Sequence, residues 1–286
     1  MNPTELRELI HDPLVAPRVA VENLMLVSLG LRPCSQTTIP AELPSGPLIG
    51  VEIDARFKPR LEKLRAIQDQ KAKIKEIGEI RKGMATAFDE IVEGSAEYKS
   101  LSTWARKLDL RVNQVEVRPT VHEFYLYREK ETQKELQRLM QERGKLRVEV
   151  VKKPDPARGH LQFAYPWEFN GTWIRRMGSL LGYPDCCVDR YAMDRELGIN
   201  AEERAAAQLK ELTTDPDPHA YLASYFFPCS PTCVKAVEKG ELYHRKLSEV
   251  LPEAGEAYEV IIVENLDRVR RQPEIINEYL SRLRGT

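Results

Sequence analysis

Five cysteines occur in 286 residues, and four of them form two pairs: Cys186 and Cys187 in LGYPDCCVDRY, and Cys229 and Cys233 in FFPCSPTC. Sulfur is a soft ligand, so four cysteines brought together point to zinc or an iron–sulfur cluster. Such chemistry needs thiolates, and the local sequence favours them. Pro184 disfavours helix through the residue before it, Asp185 is a good N-cap, and Cys186 and Cys187 then take the first two helical positions. In the second stretch Ser230 is the expected cap and Pro231 the first helical residue, with Cys233 at the third position and Cys229 just outside. At helix starts the unpaired N–H groups and the positive end of the dipole favour thiolate over thiol.

The spacing also bears on the kind of metal. Structural zinc usually grips with Cys-x-x-Cys turns, and neither pair has that spacing. Adjacent α-carbons lie about 3.8 Å apart with diverging side chains, which suits a larger cubane with separate irons to reach. Pro184, Pro228 and Pro231 beside the ligands share something with the Cys-Pro end of ferredoxin cysteine runs. The expectation is a [4Fe–4S] cluster on Cys186, Cys187, Cys229 and Cys233. A zinc ion, a thiol–disulfide redox pair and unrelated buried thiols are the alternatives. Cys34, in LRPCSQ, reads as a buried or incidental thiol.

Around these pairs stand side chains that could tune or serve the site. Tyr183, Tyr191, Tyr225, Phe226 and Phe227 crowd both turns and could shield a cluster, and they also fit ordinary core. Arg175, Arg176 and Arg190 could offset thiolate charge or grip an anionic substrate, and Ser230 adds a hydroxyl. His219 is the candidate alternative ligand or proton donor. His244 lies eleven residues beyond Cys233 on the same expected helix, about 16 Å away, so it reads as structural. No Walker loop, Rossmann glycine run, His-Glu-x-x-His or Gly-x-Ser-x-Gly is present.

The Gly-Tyr-Pro-x-Cys-Cys turn followed by Phe-x-Pro-Cys-x-x-x-Cys resembles an archaeal and bacterial family known as a domain of unknown function, number four-eight-three. The resemblance covers mainly residues 175 to 245. It implies the same four ligands and no reaction. A more distant similarity is to the Cys-Cys-Gly cluster domains of heterodisulfide-reductase-like proteins, from which this chain departs with Val188 at the glycine and three residues inside the closing pair.

The elements that position these residues follow from periodicity. Residues 4–30 read as two short helices and 37–53 as a Pro-rich extended connection. Apolar residues from Leu61 to Ile91 recur every three or four positions, predicting a long amphipathic helix or a pair broken near Gly83. Residues 95–110 read as helix, 112–117 and 124–129 as strands, 131–144 as helix stopped by Gly144, and 145–153 as another strand. After a linker over 154–160 every segment is helical in period, and VIIV at 260–263 alone fits a strand as well as a helix. The fold class is therefore predominantly helical α+β. Its expected parts are residues 1–56, a helical segment with the Pro-rich connection; 57–159, the basic helix with a small α/β unit; and 160–286, a helical cysteine-containing domain.

Composition bounds the rest. There are 43 basic and 44 acidic residues, a net charge of −1, so whole-chain charge advertises neither nucleic acid nor membrane. Between Lys58 and Lys82 nine basic residues face four acids, a strip that could meet nucleic acid and more often is a solvated face. The N-terminus lacks a secretory pattern and no window is apolar enough to span a bilayer, so a cytoplasmic, reducing location is expected. Two functions fit: an iron–sulfur enzyme with an open iron acting on a small molecule or modified nucleotide, or a closed metal site stapling a binding protein.

Overall fold

The structure is a computed structural model and describes residues 2–159 and 161–284. By contacts the chain divides into two compact units, Met1–Leu29 with Ser35–Arg128, and Gly30–Cys34 with Glu129–Thr286. The fold is predominantly helical α+β: one three-stranded sheet, β1 (Cys34–Ile39), β2 (Arg111–Arg118) and β3 (Val121–Tyr127), lies in the first unit with β3 in the middle. β2 and β3 form an antiparallel hairpin pairing Arg111 with Tyr127 and Arg118 with Val121. The central strand is the buried one, with Phe124, Tyr125, Leu126 and Tyr127 all in the core.

The first unit also holds α1 (Pro3–Ile10), α2 (Leu26–Ser28), α3 (Gly46–Ala66), α4 (Gln70–Ala87) and α5 (Ala96–Lys107). The amphipathic stretch is indeed a helix pair, but it breaks at 67–69 and not at Gly83. Asp69 caps α4, its carboxylate accepting the Ala72 N–H at 2.7 Å. Gly83 sits inside α4 for a packing reason: a Cβ there would stand 3.0 Å from the Phe57 ring of α3. The Pro-rich connection is likewise shorter than expected. β1 occupies its start and α3 begins at Gly46, with Pro47 in the first turn, where a missing N–H costs nothing.

In the second unit follow α6 (Lys130–Lys152), α7 (Leu161–Ala164), α8 (Gly171–Leu180), α9 (Asp185–Glu196), α10 (Ala201–Lys210), α11 (Val234–Val250), α12 (Pro252–Arg270) and α13 (Gln272–Arg284). The strand expected over 145–153 is the last part of α6. Gly144 costs a helix only about 1 kcal/mol against alanine, and a distant residue offsets it. The guanidinium carbons of Arg143 and Arg147, one turn apart, stand 3.3 and 5.1 Å from the centre of the Trp167 ring, a spacing that only the helix provides. The expected linker contains a short 3-10 turn at Pro156–Arg158, and its last residue, His160, lies outside the described residues. Among the described residues from 129 onward there is no strand.

Candidate metal centre

The first pair of cysteines is placed by the way α8 ends. Gly182 adopts φ +75°, a left-handed backbone that glycine enters without strain. The Gly182 and Tyr183 N–H groups donate back to the carbonyls of Ser179 and Gly178 at 2.9 and 3.0 Å, which closes the helix and turns the chain. Tyr183-Pro184 then leads straight into α9. Asp185 is its first helical residue and not its cap; Pro184, at φ −60° and ψ 133°, holds the flanking position. Cys186 and Cys187 thus sit in the first turn. α9 lies against α8 so closely that a Cβ on Gly178 would come within 2.6 Å of a Val188 methyl.

The second pair is placed by a turn that differs from expectation. α11 begins at Val234, and Cys233 is its flanking residue. Ser230 does not cap the helix. Its carbonyl accepts the Cys233 N–H and its hydroxyl accepts the Thr232 N–H, both at 3.1 Å, making a tight turn that carries Cys233 back toward Cys229.

Four sulfurs converge. The Sγ atoms of Cys186 and Cys187 are 3.9 Å apart and each lies 3.6 Å from Cys233 Sγ, while the Cys229 N–H donates to Cys187 Sγ at 3.4 Å. All four sulfurs lie within 4.8 Å of one another, a group that could hold a metal ion. Cys187 and Cys233 are buried, Cys186 and Cys229 half-buried, and none is disulfide-bonded.

Helix-start electrostatics do not act alike on Cys187, Cys229 and Cys233. Burial pushes the Cys187 thiol well up despite the Cys229 N–H, and burial together with the hydrogen bond to Cys233 pushes Cys229 up to about 11. For Cys233 burial also opposes ionisation, but the Ala236 N–H and the three neighbouring thiols outweigh it, so its pKa falls. Of Cys187, Cys229 and Cys233, Cys233 is the one whose surroundings favour the thiolate. Four sulfurs this close cannot all ionise without a cation between them, and metal binding must displace protons.

A network that the sequence reading missed holds the second turn. Asp194 of α9, fully buried, accepts from Arg190 Nε and from Arg204 Nε of α10, each at 2.9 Å. Arg204 also donates to the Pro228 carbonyl at 2.8 Å and to Gln208 Oε1 at 2.7 Å, and Gln208 donates to the Cys229 carbonyl at 3.3 Å. The i, i+4 spacing of Arg190 with Asp194, and of Arg204 with Gln208, was readable; the contact to a turn twenty residues on was not.

The other sequence candidates are engaged as follows. Arg175 pairs with Asp189 and Glu196, and Arg176 with Glu135 and Glu142. The Tyr191 hydroxyl donates to Glu168 at 2.9 Å and accepts from Arg195. The Tyr183 and Phe226 rings pack at a 37° tilt with their centres 4.9 Å apart, joining the two cysteine turns. Tyr225 is exposed under Arg268, with a φ of +60°. His219 bonds Asp217 through Nδ1 at 2.8 Å and rests against His244, outside the sulfur cluster. Cys34 lies outside it as well, fully buried. Among the described residues no helix is long and apolar enough to cross a membrane.

Against known proteins, the chain is 31% identical over 106 residues to the uncharacterized protein MJ1106 of the archaeon Methanocaldococcus jannaschii; the match takes in 35% of this chain and 57% of that protein. No solved structure matches. Residues 168–251, the stretch that carries both cysteine turns, match the family described as Protein of unknown function (DUF483), which is the family that the two turns resemble.

Proposed function

We propose that Cys186, Cys187, Cys229 and Cys233 hold a single tetrahedral zinc ion, and that this ion staples the start of α9 to the start of α11 in a protein that works by binding. The observation behind this reading is the sulfur spacing: 3.6–3.9 Å among Cys186, Cys187 and Cys233, with all four sulfurs within 4.8 Å of one another. Four thiolates at about 2.3 Å from one ion stand about 3.8 Å from each other. A [4Fe–4S] cubane puts each cysteine on a different iron and needs its sulfurs farther apart. With four protein ligands no coordination position stays open, the arrangement of structural rather than catalytic zinc. The ion would neutralise charge that the buried sulfurs cannot carry alone.

The adjacent-cysteine pair keeps the [4Fe–4S] cluster as the rival reading, and one measurement separates the two. Metal and acid-labile sulfide are determined on protein purified without oxygen, for the wild type and for each cysteine-to-serine variant. We expect one zinc per chain, no sulfide, no visible absorption, and loss of the ion in every variant. About four irons with matching sulfide would overturn the zinc reading. Retention of the ion when one cysteine is replaced would overturn the closed site and favour chemistry at an open position.

A further inference from the structure

In the sheet-containing unit, α3 and α4 leave a cleft of about 360 Å³ against the end of β2. Aliphatic side chains line it, Leu61 and Leu64 of α3, Ile77 and Met84 of α4 and Val117 of β2, and among the described residues no aromatic ring does. The two helices are held together beside it. Phe57 packs against Gly83, and Arg60 donates through Nε and Nη2 to Glu76 Oε1 at 3.0 and 2.8 Å. The apolar row itself is left uncovered: Leu61 is 41% exposed, Ile77 47%, and Ile74, one turn before Ile77 on the same face, 63%. Apolar residues scattered singly over a surface are ordinary, whereas a contiguous row in a concave place marks an interaction site.

The charges beside this row are uneven. Between Lys58 and Lys82 nine basic residues stand against four acids, an excess of five. Three of those acids are already engaged, Glu76 with Arg60, Glu79 with Lys82, and Asp69 with the Ala72 N–H at the start of α4. Arg81 has its own partner in Glu116 at 3.0 Å. Lys58, Lys63, Arg65, Lys71, Lys73 and Lys75 make no side-chain hydrogen bond or ion pair among the described residues. Three of these six adjoin the apolar row by helical spacing: Lys58 stands three residues before Leu61, Arg65 four after it, and Lys73 four before Ile77. An aliphatic cleft is thus accompanied by cations that the protein itself leaves unmatched.

We propose that this cleft is the docking site for an acidic amphipathic helix of another protein, which sets a row of aliphatic side chains between α3 and α4 and its carboxylates against Lys58, Arg65 and Lys73. Helix-in-groove recognition works through apolar anchors one helical turn apart, and complementary charge around the groove guides the partner and fixes its register. Nucleic acid is held by phosphate contacts and by stacking rings, and an aliphatic floor offers it neither. A bilayer takes up a protruding apolar face, whereas this one is concave. The four clustered sulfurs lie outside this stretch, so the docking site is the same whichever ion they hold.

The test uses the full chain and four labelled probes: a helical peptide with leucine at every third or fourth position and glutamate between, a scrambled peptide of the same composition, a single-stranded DNA oligonucleotide, and vesicles containing phosphatidylserine. We expect the patterned peptide to bind saturably, about tenfold or more tighter than the scrambled one, as the burial of one or two further aliphatic anchors requires. Its binding should weaken as salt is raised. Ile77→Ser should weaken it about tenfold by removing one anchor, and Lys73→Glu should weaken it and flatten the salt dependence. Ile77 is exposed and Lys73 carries no ion pair, so the melting temperature should hold in both variants. Equal binding of the two peptides, wild-type affinity in both variants, or preference for the oligonucleotide or the vesicles would overturn the proposal. So would self-association in sedimentation that Ile77→Ser abolishes, since the occupant would then be a second copy of this chain.

Discussion

At the scale of single residues, burial decides what each thiol does. Cys34 is fully enclosed and its pKa is pushed up to about 12, first by burial, with Arg32 pulling slightly the other way. A thiol whose folded value lies above its ordinary value of 9.0 adds stability that is whole below pH 9 and is lost as pH climbs toward 12. Native protein should therefore leave Cys34 unmodified by iodoacetamide at pH 8, and peptide mass mapping should find it labelled only after denaturant is added. Labelling of Cys34 in the native state at the rate of a free thiol would contradict its burial. The identity of the four clustered sulfurs was legible from sequence because cysteine is scarce and the pairs are close. The opposite pKa shifts of Cys187 and Cys229 on one side and Cys233 on the other were not, since a helix start favours all such thiols and only the packed interior shows how much burial opposes it. Arg175 and Arg176 looked available for an anion, and instead pair with carboxylates on other helices and in α9.

At the scale of elements, the contact of α8 with α9 aims Cys186 and Cys187. Gly178 lets the helices approach until its own backbone meets the Val188 methyls, and a Cβ there would overlap them. Gly178→Ala should cost about 1–3 kcal/mol by overpacking and weaken retention of the ion. Adding Val188→Ala, which opens the space, should restore part of both; chemical denaturation and metal content of the single and double variants measure this. No recovery in the double variant would show that the clash is not the cause. Most helices and the strands β2 and β3 were readable from period; that the two strands pair as a hairpin was not. The course of α6 through 145–152 was not: its alternating pattern suits a strand, and what holds it helical is the stacking of Arg143 and Arg147 on Trp167, a residue twenty positions away. Local pattern is a weak guide where a tertiary contact has chosen between two periods.

At the scale of the whole molecule, the four clustered cysteines and the stretch matched by the family model belong to one of the two units. Ligands that bind only the folded form stabilise it by mass action. Stripping the ion with a chelator should thus lower the melting transition of the unit formed by Gly30–Cys34 and Glu129–Thr286, while the sheet-containing unit keeps its own. Hydrogen exchange followed region by region checks this, and equal loss of protection in β3 and α11 would speak against independent units. That the described residues after 160 form no strand was largely legible from their helical period. That Gly30–Cys34 joins them was hidden, since no local signal marks five residues as belonging to a unit a hundred positions away.

The Asp194 and Arg204 network has a consequence for the order of assembly. Arg204 and Gln208 hold the carbonyls of Pro228 and Cys229 by hydrogen bonds that involve no sulfur, and Asp194 anchors Arg204 to the helix that carries Cys186 and Cys187. Both halves of the cluster are therefore tied to α10 by groups indifferent to metal. An ion held by the four sulfurs would enter a cage whose second turn is already tied to α10 by arginine and glutamine, so its capture would turn on proton exchange at sulfur and not on gathering a loose chain.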